Sequence, residues 1–169
     1  AAGRVVTSPV RGLMAVRALL HGLGVYSWFF GVLRIPLAEV NAMLNLGPVY
    51  ATLGAVLLMG EKLRIRRIAA IFISFIGALI IIKPGFAEIN LGTIAILITA
   101  PMFAGSDLIA KKLKAFENDR TIIFSLSAGI AAFMMVPAIG VWQPISATNW
   151  IGIMAISIAA TLGHITLMR

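Results

Sequence analysis

The sequence predicts an all-α integral membrane protein, a polytopic helical bundle with six transmembrane helices. Three observations predict it. Of the 169 residues, 60% are hydrophobic and only 12% charged, whereas soluble domains carry about a quarter of their residues charged. Mean hydropathy is +1.02, and the apolar residues fall in long continuous blocks with the charges gathered between them. The lysines and arginines alternate from loop to loop, as they do in a chain that threads a bilayer. Continuous blocks favour helices over the alternating strands of a barrel, because a helix satisfies its own backbone in lipid.

A helix needs about 20 mainly apolar residues to cross a hydrocarbon core of ~30 Å. Six segments qualify: Gly12–Leu33, Pro36–Met59, Ile65–Ile82, Leu91–Ala110, Thr121–Val141 and Asn149–Met168. The breaks between them carry residues that end helices, at Arg34-Ile35-Pro36, Gly60-Glu61-Lys62, Lys83-Pro84-Gly85 and Gln143-Pro144. One set of loops holds Arg4, Arg11, Arg17, Lys62, Arg64, Arg66, Arg67, Lys111, Lys112, Lys114, Arg120 and Arg169, and the other only Arg34 and Lys83. Twelve against two predicts that the first set, and with it both ends of the chain, faces the cytoplasm.

The net charge of +8 would suggest nucleic acid in a soluble protein. Here it is a topology signal, and no nucleic-acid partner is expected. The chain has no cysteine, which excludes disulfides and thiolate chemistry. It contains no H-E-x-x-H, no G-x-S-x-G elbow and no phosphate-binding loop, and its acidic residues are not paired for acid–base work. An enzyme is disfavoured, and no cofactor or metal is implied. The opening Ala1-Ala2-Gly3-Arg4 and the closing Leu167-Met168-Arg169 both read as cuts through a longer protein.

Polar side chains within apolar blocks are costly, about 2.5–3.5 kcal/mol for a central charge, and mark functional candidates. Arg17, His21, Gly24 and Trp28 share one face of the first span. Snorkelling to the interface explains Arg17 most simply. His21 suits either a hydrogen bond to a neighbouring helix or a cavity, and Trp28 with Tyr26 suits an interfacial aromatic belt. The second span carries Asn41, Asn45, Pro48 and Thr52 on one face. Two amides one turn apart serve as a binding stripe or as interhelical glue, and Pro48 marks a helix break. Glu39 lies in the first turn after Pro36, where a carboxylate complements the helix dipole. Asp107 stands four residues before Lys111, at the spacing of an intrahelical ion pair. His164, Thr161 and Ser157 form a polar face on the last span.

The second and third spans carry a recognisable succession. Pro36-Leu37-Ala38-Glu39-Val40 leads to Gly47-Pro48-Val49-Tyr50, then Gly60-Glu61-Lys62-Leu63 and Arg66-Arg67, and finally Gly77-Ala78-Leu79-Ile80-Ile81-Ile82 and Lys83-Pro84-Gly85. This order and spacing resembles the EamA-type domain of the drug/metabolite transporter superfamily. The resemblance implies ten helices in two inverted five-helix repeats, of which this chain holds the middle six. Residues 1–85 then correspond to helices three to five of the first repeat, and 86–169 to helices six to eight, opening at Gly92-Thr93-Ile94-Ala95. Gly12-Leu13-Met14-Ala15 and Gly152-Ile153-Met154-Ala155 are compatible with equivalent positions in the two repeats.

The resemblance also implies a secondary transporter of a small organic metabolite, working by alternating access in a bacterial inner membrane; the sequence leaves the oligomeric state open, a homodimer among the alternatives. Asn41, Asn45, His21 and Trp28 are the expected substrate contacts. Glu39, Asp107, Glu61 and His164 are the expected coupling or gating residues. Six helices alone are expected not to transport. The competing readings are a membrane scaffold subunit and a membrane enzyme whose catalytic residues lie outside this sequence.

Overall fold

The computed structural model describes residues 8–82 and 90–167, and every regular element among them is a helix. They are α1 (Ser8–Val32), α2 (Leu37–Leu44), α3 (Gly47–Met59), α4 (Ile65–Ile82), α5 (Leu91–Leu113), α6 (Asp119–Gly140) and α7 (Ala147–Leu167). The predicted break at Lys83-Pro84-Gly85 lies outside the described residues. Among the described residues, four stretches are long and apolar enough to cross a membrane: Pro9–Val32, Leu37–Met59, Leu91–Leu113 and Asp119–Gly140. The third and sixth predicted spans are helical as α4 and α7, and α7 is apolar over Ala147–Gly163.

The second predicted span is a kinked pair, α2 and α3, and the kink falls beside Pro48. A proline in a helix interior removes one backbone donor and clashes with the preceding turn. The chain tightens there instead, with Leu46 N–H bonding Met43 O at 3.1 Å and Val49 N–H bonding Leu46 O at 2.9 Å. Pro48 thereby falls in the first turn of α3, where its missing donor costs nothing. Two further prolines, Pro101 and Pro137, sit inside α5 and α6. Helices α5 and α6 begin on asparagine caps. Asn90 Oδ1 accepts from Thr93 N–H at 3.0 Å, and Asn118 Oδ1 from Thr121 N–H at 2.9 Å.

The bundle is built around α1, which lies against α5 and α6. Near its start Val10 meets Ala110, Leu113 and Ile122, and further along Gly24 reaches Thr99. Helices α1 and α5 are therefore antiparallel. Helix α6 runs parallel to α1, from Ile122 beside Val10 to Phe133 beside Gly22. Helices α3 and α5 run the same way, pairing Gly54 with Leu108 and Glu61 with Lys111. These directions are the ones alternating crossings require. They also bring Arg11, the Lys62–Arg67 segment and the Lys111–Arg120 segment to one end of the bundle, with Arg34 at the other.

Candidate functional site

Two polar features stand out of the apolar packing, a seam between α1 and α5 and an ion-pair cluster at the end of that seam. In the seam, Thr99 and Ser106 of α5 are fully buried. Thr99 Oγ1 donates to Ala95 O at 2.9 Å within its own helix and faces Gly24 O of α1 at 3.4 Å. Further toward the basic end, His21 Nδ1 lies 3.1 Å from Ser106 Oγ, and the imidazole stacks on Phe103 with 4.7 Å between ring centroids. His21 thus bridges to a neighbouring helix, one of the two roles its position suggested.

Arg17 corrects an expectation. It does not snorkel to an interface but is 2% exposed, with Nη1 donating to Ile122 O of α6 at 2.8 Å. Its Nε is buried without a hydrogen-bond partner, and Asp107 of α5 is within electrostatic reach. The reason is geometric: the basic end of α1 is wedged between α5 and α6, so the nearest acceptor is a backbone carbonyl and not water.

The ion-pair cluster begins at Gly60, whose left-handed backbone (φ 68°) closes α3. Gly60 N–H bonds Val56 O, and Glu61 N–H reaches back to Ala55 O at 3.2 Å, which fixes where Glu61 leaves the helix. Its carboxylate accepts from Lys111 Nζ of α5 and from Arg67 Nη1 of α4 at 3.1 Å. Those two donors, Lys111 foremost, hold the Glu61 carboxyl below the usual carboxylate range. Lys111 therefore pairs across helices with Glu61, where the sequence spacing pointed to Asp107. Thr52, Glu61, Arg67, Asp107 and Lys111 line one cleft of about 200 Å³.

The four expected substrate contacts occupy three different surroundings. His21 is in the seam. Trp28 packs on the apolar cluster of Ile35, Val40, Met43 and Ile96, edge-on to Phe29 at 4.9 Å. Asn41 on α2 and Asn45 at its C-cap are exposed, beside and not among the buried residues Val40, Ala42 and Met43. Pro48 is exposed and Glu39 half-buried in the first turn of α2. The side chain of His164 lies outside the described residues. Sequence reasoning missed Thr99, Ser106 and Phe103. Their signal was faint: two small hydroxyls seven residues apart in α5, a helix whose face toward α1 no local pattern announces.

Residues 5–83 match the description EamA-like transporter family. The chain is 28% identical to a riboflavin transporter of Vibrio cholerae over 90% of its length and 52% of the relative's. It is 31% identical to a riboflavin transporter of Brucella anthropi over 83% of its length and 45% of the relative's. With a pseudopaline exporter of Pseudomonas aeruginosa it shares 24% identity over 93% of its length and 56% of the relative's. The chain thus spans about half the length of these curated relatives. No solved structure matches it.

Proposed function

We propose, from the premise that this chain carries an EamA-type domain of the drug/metabolite transporter superfamily, that the protein moves a small polar metabolite across a bacterial inner membrane by alternating access. The observation that carries this reading is the polar seam itself. The family match ends at residue 83, and the seam joins α1, inside that match, to α5, outside it. We read residues 1–85 as helices three to five of one repeat and 86–169 as helices six to eight, opening the next. The seam is then a contact between repeats, where alternating access needs its moving surface.

The chemistry of the seam suits sliding. Its contacts are hydrogen bonds between helices, each contributing about 0.6 kcal/mol on average in membrane proteins. The basic end differs. There Glu61 links α3 to α4 and α5 through two ion pairs, and we assign it the role of a gate that closes this end, with Asp107 in the same cleft. The excess of basic residues supports a cytoplasmic location for that end. His21, one turn deeper than Arg17, is positioned for substrate contact or proton coupling. Asn41 on α2 and Asn45 at its C-cap, both exposed and four residues apart, present amides toward the remainder of the substrate path.

The relatives' names cover riboflavin and pseudopaline, and a relative of Rickettsia prowazekii is named an S-adenosylmethionine uptake transporter. All three names denote small organic molecules, which supports that substrate class for this protein. One name specifies export and another uptake, so direction is not carried over.

The test is solute flux in proteoliposomes holding the full-length protein, screened with riboflavin, amino-acid and nucleoside-like solutes. At least one should move at a rate above protein-free vesicles. The double substitution Asn41→Leu and Asn45→Leu should abolish that flux while membrane insertion and yield stay unchanged. Undiminished flux would remove both asparagines from the substrate path.

A further inference from the structure

The segment joining α3 to α4 holds more positive charge than its own contacts consume. A concavity of about 400 Å³ is lined by Glu61, Lys62, Arg64, Arg66 and Arg67. Glu61 is its one carboxylate, and that group is already engaged by Lys111 and Arg67. Lys62, Arg64 and Arg66 have no ion pair with a carboxylate among the described residues. Among the described residues, three exposed cations therefore face one hollow whose single carboxylate is already engaged.

The hollow opens at the start of α4, and that helix supplies the second observation. Ile65, Phe72, Ile76 and Ile80 recur at helical spacing and are 77%, 64%, 55% and 66% exposed. They form an apolar stripe that begins beside the cations and continues along the helix toward the other end of the bundle. The start of α4 adds the positive end of its helix dipole.

From this juxtaposition we propose that the hollow of Lys62, Arg64 and Arg66 is a binding site for the phosphate headgroup of an anionic phospholipid, whose acyl chains lie along the Ile65–Phe72–Ile76–Ile80 stripe of α4. A cationic hollow alone accepts any small anion. The stripe continuous with it selects an anion that carries hydrocarbon, and basic pockets beside transmembrane helices hold anionic headgroups by this combination. Arginine suits the task because its planar fork meets two phosphate oxygens at once. The inference needs only a membrane-embedded chain and stands whether or not the transport reading does.

The experiment places the full-length protein in nanodiscs of equal parts phosphatidylcholine and phosphatidylglycerol and counts retained lipids by native mass spectrometry after detergent release. Wild-type protein should retain phosphatidylglycerol preferentially. The triple substitution Lys62→Gln, Arg64→Gln and Arg66→Gln should cut that preference by at least about tenfold, since each cation near an anionic surface contributes on the order of a fivefold preference. Size-exclusion profile and melting temperature in phosphatidylcholine alone report that the variant is folded. A second variant, Lys112→Gln, Lys114→Gln and Arg120→Gln, removes as many cations from the same end of the bundle and should keep the preference. Equal loss in both triples would show a general charge effect and overturn the site. So would an unchanged preference in the first triple. Displacement of phosphatidylglycerol by inorganic phosphate at comparable concentration would overturn the lipid assignment in favour of a small-anion site.

Discussion

Lys111 and Arg67 both donate to Glu61, so its carboxyl titrates below its unfolded value. The stabilisation it brings is present above the ordinary carboxylate range and is lost as pH falls through the lowered folded value. Between pH 5 and 8 Glu61 therefore stays ionised, and the proposed transport should show no step attributable to it; a pH–flux profile checks this. Glu61→Gln removes the charge from both pairs at every pH. It should alter flux while leaving helix content by circular dichroism unchanged, and unaltered flux would reduce Glu61 to a surface ion pair. Arg17 marks the limit of what neighbouring residues reveal. Its face was evident from the spacing to His21 and Gly24, but the carbonyl that receives it belongs to Ile122, 105 residues on in the sequence. Nothing local to Arg17 reports that α6 closes over it.

Helix α1 meets α6 at a point where no side chain fits. A Cβ added to Gly129 would lie 2.3 Å from Ala18 Cβ, an atom fixed to the backbone with no flexible end to yield. Gly129→Val should therefore separate the two helices and destabilise the bundle by about 1–3 kcal/mol, the usual cost of overfilling a packed contact. Thermal melting in detergent reads it, and an unchanged melting temperature would contradict so close an approach of α1 and α6. The helices themselves were largely legible, because continuous apolar blocks and proline or glycine punctuation are local signals. Boundaries differ where a cap lies outside the apolar block: Asn118 caps α6, which starts at Asp119, two residues before the block does. The kink between α2 and α3 was announced by Pro48, although the tightened turn sits just ahead of it at Asn45 and Leu46. The site was less legible than the helices. Asn41, Asn45 and Trp28 stood out as polar or aromatic residues in apolar blocks. The contacts that join α1 to α5 use Thr99 and Ser106, two of the least conspicuous polar residues in the chain.

Helices α1 to α4 meet the second set, α5 to α7, chiefly where α1 lies against α5 and α6 and where α3 lies against α5. The contacts between the sets are graded along the bundle: apolar packing around Val40, Met43 and Ile96, then single hydrogen bonds at Thr99 and Ser106, then ion pairs at Glu61. On the proposed alternating-access reading, that gradient assigns the hinge to the apolar end and the opening to the charged one, with the anionic lipid proposed at Lys62, Arg64 and Arg66 seated beside the opening edge. The chain contains no cysteine, which makes a pair of introduced thiols a clean reporter of that opening. Glu61→Cys combined with Lys111→Cys, in the full-length protein reconstituted in proteoliposomes, tests whether solute passes through a structure that must open there. Flux in the reduced protein, its loss when the disulfide forms and its return with reductant is the predicted result. Flux that continues unchanged through complete cross-linking would contradict it.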